Sequence, residues 1–328
     1  MAPDQGQTLP HGEWLAPLDG HRVWWCEGGD AHGLPVLIVH GGPGGASRAE
    51  PARWFEALPV RWIAIDQRGC GRSMPAGETA HNTLNYLLAD MERLREHLGL
   101  PGWALAGGSW GARVVLRYAA LWPQRVNGLL LRSPFLGGLA ETQRYIAPWP
   151  VWLGREGEAW LGAPAATAVF ELYQRSTESF CAGTGLAPSV LDDEKVAQVW
   201  GAYDDAQSAP GGVIASATRC VPAALKPLTD AQAAAWRVHL HHALRAWGEC
   251  DGHPRGLPAA PLDCGPSGVV CGADDATCDP ALARALAQCL PGARVRVVPG
   301  AGHRLGDPRL APVLAEAARE WAAALLRD

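Results

Sequence analysis

The chain has 328 residues, 48% hydrophobic and 19% charged, a balance that suits a globular fold with a sizeable core and excludes a disordered one. Its 28 basic and 33 acidic side chains leave a net charge of -5, which gives no electrostatic footprint for nucleic acid or an anionic membrane. At about 150 residues per domain, the length allows two domains or one large α/β domain carrying an insertion.

Met1 to Pro10 is polar and lacks the basic-then-apolar pattern of a signal peptide. No apolar run reaches the ~18 residues that a membrane span needs, so a cytoplasmic protein is expected. Gly12 to Glu27 reads as two short strands joined at Leu18-Asp19-Gly20, an Asp-Gly turn between apolar runs. Pro35 to Val39 is fully apolar, as a buried parallel strand requires, and Trp62 to Ile65, Ala104 to Ala106 and Leu129 to Leu131 repeat the pattern. Thr83 to Leu98 is predicted helical. Leu84, Leu87, Leu88, Met91, Leu94 and Leu98 form one stripe, with Asn82 as the expected cap and Gly99 as the stop. Strands alternating with helices imply a mostly parallel sheet covered on both faces.

The alternation breaks near Gly137. From there to about Leu257 the chain is rich in Ala and Trp, helical in period and without a convincing strand. Strands return at Gly268 to Cys271 and Val295 to Val298, followed by a helix from Leu310 to about Leu326. The expected organisation is a sheet domain in two parts, 1–136 and 258–328, interrupted by a helical domain, 137–257. The nine cysteines are scattered; Cys264, Cys271, Cys278 and Cys289 come closest to a cluster but lack metal-site spacing. Buried free thiols and no metal are expected.

Gly107-Gly108-Ser109-Trp110-Gly111 matches G-x-S-x-G between a strand and a helix, the setting in which a sharp turn lifts a nucleophilic serine clear of the sheet. The helix N-terminus supplies backbone N–H groups for a developing oxyanion. His40-Gly41-Gly42-Pro43-Gly44-Gly45 follows the Pro35 to Val39 strand, where a second oxyanion donor is expected. A base and an orienting acid should follow later strands. His303 is the base candidate. Asp275 is the acid candidate, with Asp274 and Asp279 in the same loop as alternatives. In Asp66-Gln67-Arg68-Gly69-Cys70-Gly71-Arg72-Ser73, the Asp and Arg residues are expected to pin a tight turn by ion pairing.

Four segments together resemble proline iminopeptidase (prolyl aminopeptidase), a family of α/β-hydrolase serine peptidases. They are LIVHGGPGG (Leu37 to Gly45), IDQRGCGRS (Ile65 to Ser73), NTLNYLLADMERLREHLGL (Asn82 to Leu100) and AGGSWG (Ala106 to Gly111). The resemblance covers residues 12–135 well and 268–303 moderately. It implies an α/β-hydrolase fold with a helical cap, Ser109 as nucleophile, Asp275 as acid and His303 as base. It also implies the Gly42 and Trp110 amides as the oxyanion hole. In the cap it places Phe135 and Tyr145 at aromatic positions and Asp204 where a glutamate would hold the substrate's free ammonium. His239 stands where a second glutamate would be, and Ala243 where a phenylalanine would enclose proline. These departures leave the hydrolase expectation intact and weaken the preference for proline.

The expected reaction is acyl transfer through a covalent intermediate, without cofactor, on a short peptide or a small amide or ester. No nucleic-acid or membrane partner is expected. The first rival is an esterase, amidase or thioesterase with altered cap specificity, serving secondary metabolism. The second is a non-catalytic binding module on a hydrolase fold.

Overall fold

The computed structural model of the chain describes residues 9–162, 164, 193–217, 219–246 and 257–327. The described strands are β1 (Glu13–Trp14), β2 (Trp24–Gly29), β3 (Leu34–Val39), β4 (Val60–Ile65), β5 (Trp103–Gly108), β6 (Val126–Arg132), β7 (Ser267–Gly272) and β8 (Arg294–Val298). They form one sheet in the order β1-β2-β4-β3-β5-β6-β7-β8. β2 runs antiparallel to β1 and β4; every other pairing is parallel. The expected Asp-Gly turn is present: Asp19 and Gly20 both have positive φ, 50° and 80°, and Leu18 and His21 exchange backbone hydrogen bonds.

The apolar runs are continuous because both faces of the sheet are covered. On β3, Val36 and Ile38 pack with Phe55, Ala318 and Trp321 on one face. Leu37 and Val39 pack with Leu87, Leu88 and Met91 on the other. The helix Leu84–His97 buries the stripe read from its sequence, and Leu310–Leu325 lies across the opposite face. Gly99, at φ 64°, ends the first of these helices. Thr83, not Asn82, is its N-cap residue, and no side chain caps it. Asn82 is buried elsewhere: its Nδ2 donates to the Arg68 and Glu78 carbonyls, and its Oδ1 contacts His242 Nε2.

Between β6 and β7 lie the helices Leu139–Ile146, Trp149–Leu161, Asp193–Gln207, Gly212–Ser216 and Asp230–Ala246. They have their own apolar core, built on Trp149, Trp152, Trp200 and Tyr203, with Tyr145 and Trp236 packed against it. The described tryptophans of this segment therefore belong to its core. Among the described residues no helix is long and apolar enough to cross a membrane. The described cysteines are free and all but Cys289 are buried; Cys181 and Cys250 lie outside the described residues.

Candidate active site

The turn after β5 explains its own glycines. Ser109 sits at φ 53°, ψ -122°, a strained conformation for a residue with a side chain. A Cβ on Gly107 would lie 2.5 Å from the Gly111 carbonyl oxygen, and one on Gly111 would lie 2.3 Å from that of Val39. Only glycine on either side of the serine lets strand, turn and helix approach this closely. The helix Trp110–Leu121 starts immediately after Ser109, so the Trp110 amide has no intrahelical acceptor.

Ser109 and His303, 194 residues apart in the chain, meet with Oγ and Nε2 3.1 Å apart. His303 Nδ1 lies 2.9 Å from Asp275 Oδ2. A carboxylate can only accept, so Nδ1 carries the proton and Nε2 is left to accept from the serine hydroxyl. All three residues are buried. Asp275 Oδ1 accepts the Thr277 and Cys278 amides at 3.0 and 2.8 Å. Burial alone would raise the Asp275 pKa, but the charge and hydrogen bond of His303 and the Cys278 amide hold it below the usual carboxylate value. The neighbouring acids do other work. Asp279 caps the helix Pro280–Gln288 by accepting the Ala281 amide, and Asp274 is exposed.

The glycine-rich loop after β3 folds against the turn. An added Cβ on Gly41 would meet Ser109 Cβ at 3.3 Å, and Gly42, at φ 128°, is exposed beside it. Gln67 ties this loop to the serine turn. Its backbone N–H donates to His40 Nε2 at 3.0 Å, its Nε2 donates to the His40 carbonyl at 2.8 Å, and its Oε1 accepts from Trp110 Nε1 at 2.9 Å. Burial lowers the His40 pKa and keeps the ring neutral, as its acceptor role requires. In the same turn Asp66 pairs with Arg72 at 2.9 Å, as expected, but Arg68 does not join it. Arg68 forms a buried two-bond pair with Asp90 on the helix Leu84–His97.

Phe135 donates its amide to the Ser109 carbonyl at 3.2 Å, and its ring lies 6.5 Å from that of Trp110. Tyr145 donates its hydroxyl to Asp204 Oδ1 at 2.6 Å. Burial, then the Asp204 charge, raises the Tyr145 pKa well above its usual value, so the phenol stays protonated and remains the donor. His239 stacks on Trp236 at 5.5 Å, and its Nδ1 meets the Pro43 carbonyl at 3.2 Å. Burial lowers its pKa against the opposing pull of Asp204, leaving it neutral near pH 7. A cavity of about 700 Å³ reaches Gly41, Gly42 and Gly108 from the sheet side and Asp204 from the helical side. Phe135, Tyr145 and His239 do not line it. The Ala243 side chain lies outside the described residues.

Two contributors escaped the sequence reading. Arg132 donates Nη1 to the His303 carbonyl at 2.6 Å, and Asp307 accepts the Gly302 amide at 3.0 Å, so both shape the His303 loop. The one available signal for Arg132 was a charge directly after the buried apolar run Leu129 to Leu131.

The α/β-hydrolase fold model matches residues 35–307. The proline iminopeptidase of Neisseria meningitidis is 42% identical over 147 residues, which cover 45% of this chain and 45% of that protein. The proline iminopeptidase of Arabidopsis thaliana is 42% identical over 122 residues, covering 37% of this chain and 32% of that protein. The chain thus matches less than half the length of these curated relatives. A proline iminopeptidase-related protein from Thermus thermophilus superposes with a TM-score of 0.55 at 23% identity, covering 97% of this chain and 99% of that one. An epoxide hydrolase from hot-environment metagenomes superposes with a TM-score of 0.59 at 19% identity, covering 97% and 99%. The same fold thus carries different chemistries. With five-sixths of its length matched by the family model, this chain belongs to the α/β-hydrolase family.

Proposed function

We propose that the protein is a serine hydrolase of the proline iminopeptidase type, releasing the N-terminal residue of short peptides or small amides through an acyl-enzyme. The observation that carries this reading is the Ser109–His303–Asp275 alignment, at 3.1 and 2.9 Å. His303 takes the proton of Ser109 as Oγ attacks the carbonyl. Asp275 holds the ring and stabilises its cationic form. The Gly42 and Trp110 amides receive the oxyanion. His303 then protonates the leaving nitrogen, and water, activated by the same imidazole, releases the acyl group. These steps use only side chains and backbone amides of the chain.

The segment 137–257 serves as the cap, and Asp204 as the group that receives the substrate's ammonium. Its second oxygen is open to that role, since Tyr145 engages only Oδ1. Tyr145 therefore orients Asp204 instead of enclosing the substrate itself. His239 fixes the cap to the oxyanion loop through Pro43 and adds no negative charge. That last observation favours a second reading, an esterase, amidase or thioesterase without amine recognition. Proline-naphthylamide and its N-acetyl analogue separate the two. The first reading expects the acetylated compound to lose at least about tenfold in kcat/KM; equal rates would discard it.

A further inference from the structure

The cavity that reaches Gly41, Gly42 and Gly108, short of Ser109 and His303 themselves, carries charges of both signs. Asp204 and Asp205 face it from the helical segment, and Arg48, Arg132 and Arg304 from the sheet side. Arg304 and Asp205 pair with each other at 2.7 Å. The Asp204 carboxylate has the Tyr145 hydroxyl. Among the described residues no carboxylate forms an ion pair with Arg48 or Arg132. Arg132 is the more telling of the two. It is largely withdrawn from solvent, and its guanidinium lies against Gly108, where a Cβ would come within 2.7 Å of Nε. Arg68, which is fully buried, has a bidentate partner in Asp90, whereas Arg132, partly buried, donates to the His303 carbonyl. The negative charge that acts on Arg132 from a distance is Asp275, whose oxygens are already taken by His303 and two amides. A withdrawn guanidinium without a direct counter-ion is unfavourable unless an anion completes its surroundings.

We propose that Arg132, partly buried, and Arg48, exposed, which both line this cavity, form a carboxylate subsite for the leaving residue, so that the preferred substrates are short peptides with both ends free. This rests on the aminopeptidase reading above and extends it to the other end of the substrate. The position follows from the reaction. His303 protonates the departing nitrogen, and in a dipeptide the terminal carboxylate carbon is two bonds away, about 2.5 Å. The carboxylate must therefore come to rest on the His303 side, where Arg132 holds the His303 carbonyl and Arg304 is the next residue. The ammonium then faces Asp204 across the same cavity. Its 700 Å³ has room for a peptide of a few residues, and the two ends would be read together.

The test compares prolyl-glycine, prolyl-glycinamide and proline-naphthylamide, all with a free amine and only the first with a carboxylate. The wild type should show about tenfold higher kcat/KM on the dipeptide than on its amide. Arg48→Ala, at an exposed position, should lower the dipeptide value several-fold more than the naphthylamide value, mainly through KM, and Arg48→Lys should restore part of it. Calorimetric binding of the dipeptide and its amide to Ser109→Ala reads the subsite without turnover. A tenfold tighter Kd for the acid supports it. Equal Kd values, or equal losses on both peptides in Arg48→Ala, overturn it. Absence of turnover on all three substrates would sink the aminopeptidase reading instead, and the calorimetric arm would still decide the subsite.

Discussion

Ser109, His303 and Asp275 are separated by long stretches of chain, yet the residue types and their order after successive strands were readable in advance. That is because each sits in a local pattern: glycines around the serine, and a strand end before the acid and the base. Which aspartate meets the imidazole was not readable, since Asp274, Asp275 and Asp279 share one loop and only packing tells them apart. Two outcomes are expected at this scale. Ser109→Ala should lose on the order of 10⁴-fold or more in kcat while keeping its melting temperature within a few degrees, because alanine occupies the same strained backbone. Asp275→Asn should lose on the order of 10⁴-fold, since an amide nitrogen toward Nδ1 favours the tautomer that cannot accept the serine proton. Steady-state kinetics on proline-naphthylamide measure both, and an Asn variant within about tenfold of wild type would contradict the orienting role of Asp275.

The elements were legible where a period or a breaker marked them. The helix Leu84–His97 follows its apolar stripe, and the strands follow their runs of buried residues. Asn82 was misplaced as a helix cap because its sequence position permits capping; a long-range partner, His242 on Asp230–Ala246, claims its side chain instead. The same limit hid Arg132, whose contact with His303 spans 171 residues. Glycine positions give a paired test of the serine turn. Gly111→Ala drives a Cβ to 2.3 Å from a strand carbonyl and should cost more than about 2 kcal/mol. Gly201→Ala, on a helix with open space around it, should be neutral or stabilising by up to about 1 kcal/mol. Chemical denaturation ranks the two variants, and the reverse order would refute the packing account.

Glu141, in the first turn of Leu139–Ile146, supplies a pH test. Burial pushes its pKa up to about 7, only partly offset by the Gly137 and Leu136 amides, each donating to Oε2 at 2.9 Å. The folded state therefore holds this proton more tightly than the unfolded chain does. Stability should fall as pH rises from about 4.5 to about 7, by as much as about 3 kcal/mol from this group. Glu141→Gln should flatten that part of the profile. Urea unfolding at pH 5 and pH 8 compares the slopes, and identical slopes would remove Glu141 as their source.

At the scale of the whole molecule, loops of the sheet carry Ser109, Asp275 and His303, and the helical segment between β6 and β7 has a tryptophan core of its own. The two are joined by specific contacts: His239 on Pro43, His241 and His242 on Asn82, and Arg304 on Asp205. Composition announced the tryptophans but not their purpose, because an aromatic run reads alike as core or as binding surface. The recognition role proposed for Asp204 is open to measurement: Asp204→Ala should raise KM for free-amine substrates at least about tenfold more than for acetylated ones. Equal effects would leave Asp204 a structural partner of Tyr145.

An activated hydroxyl at position 109 is what the hydrolytic chemistry needs most, and covalent labelling addresses it without knowledge of the natural substrate. After incubation with a fluorophosphonate, peptide mass mapping should place one adduct on Ser109 in the wild type. It should find none in Ser109→Ala, and labelling slowed on the order of 10³-fold in His303→Ala. An adduct on a different residue, or an unlabelled Ser109 in protein that still turns over proline-naphthylamide, would contradict it.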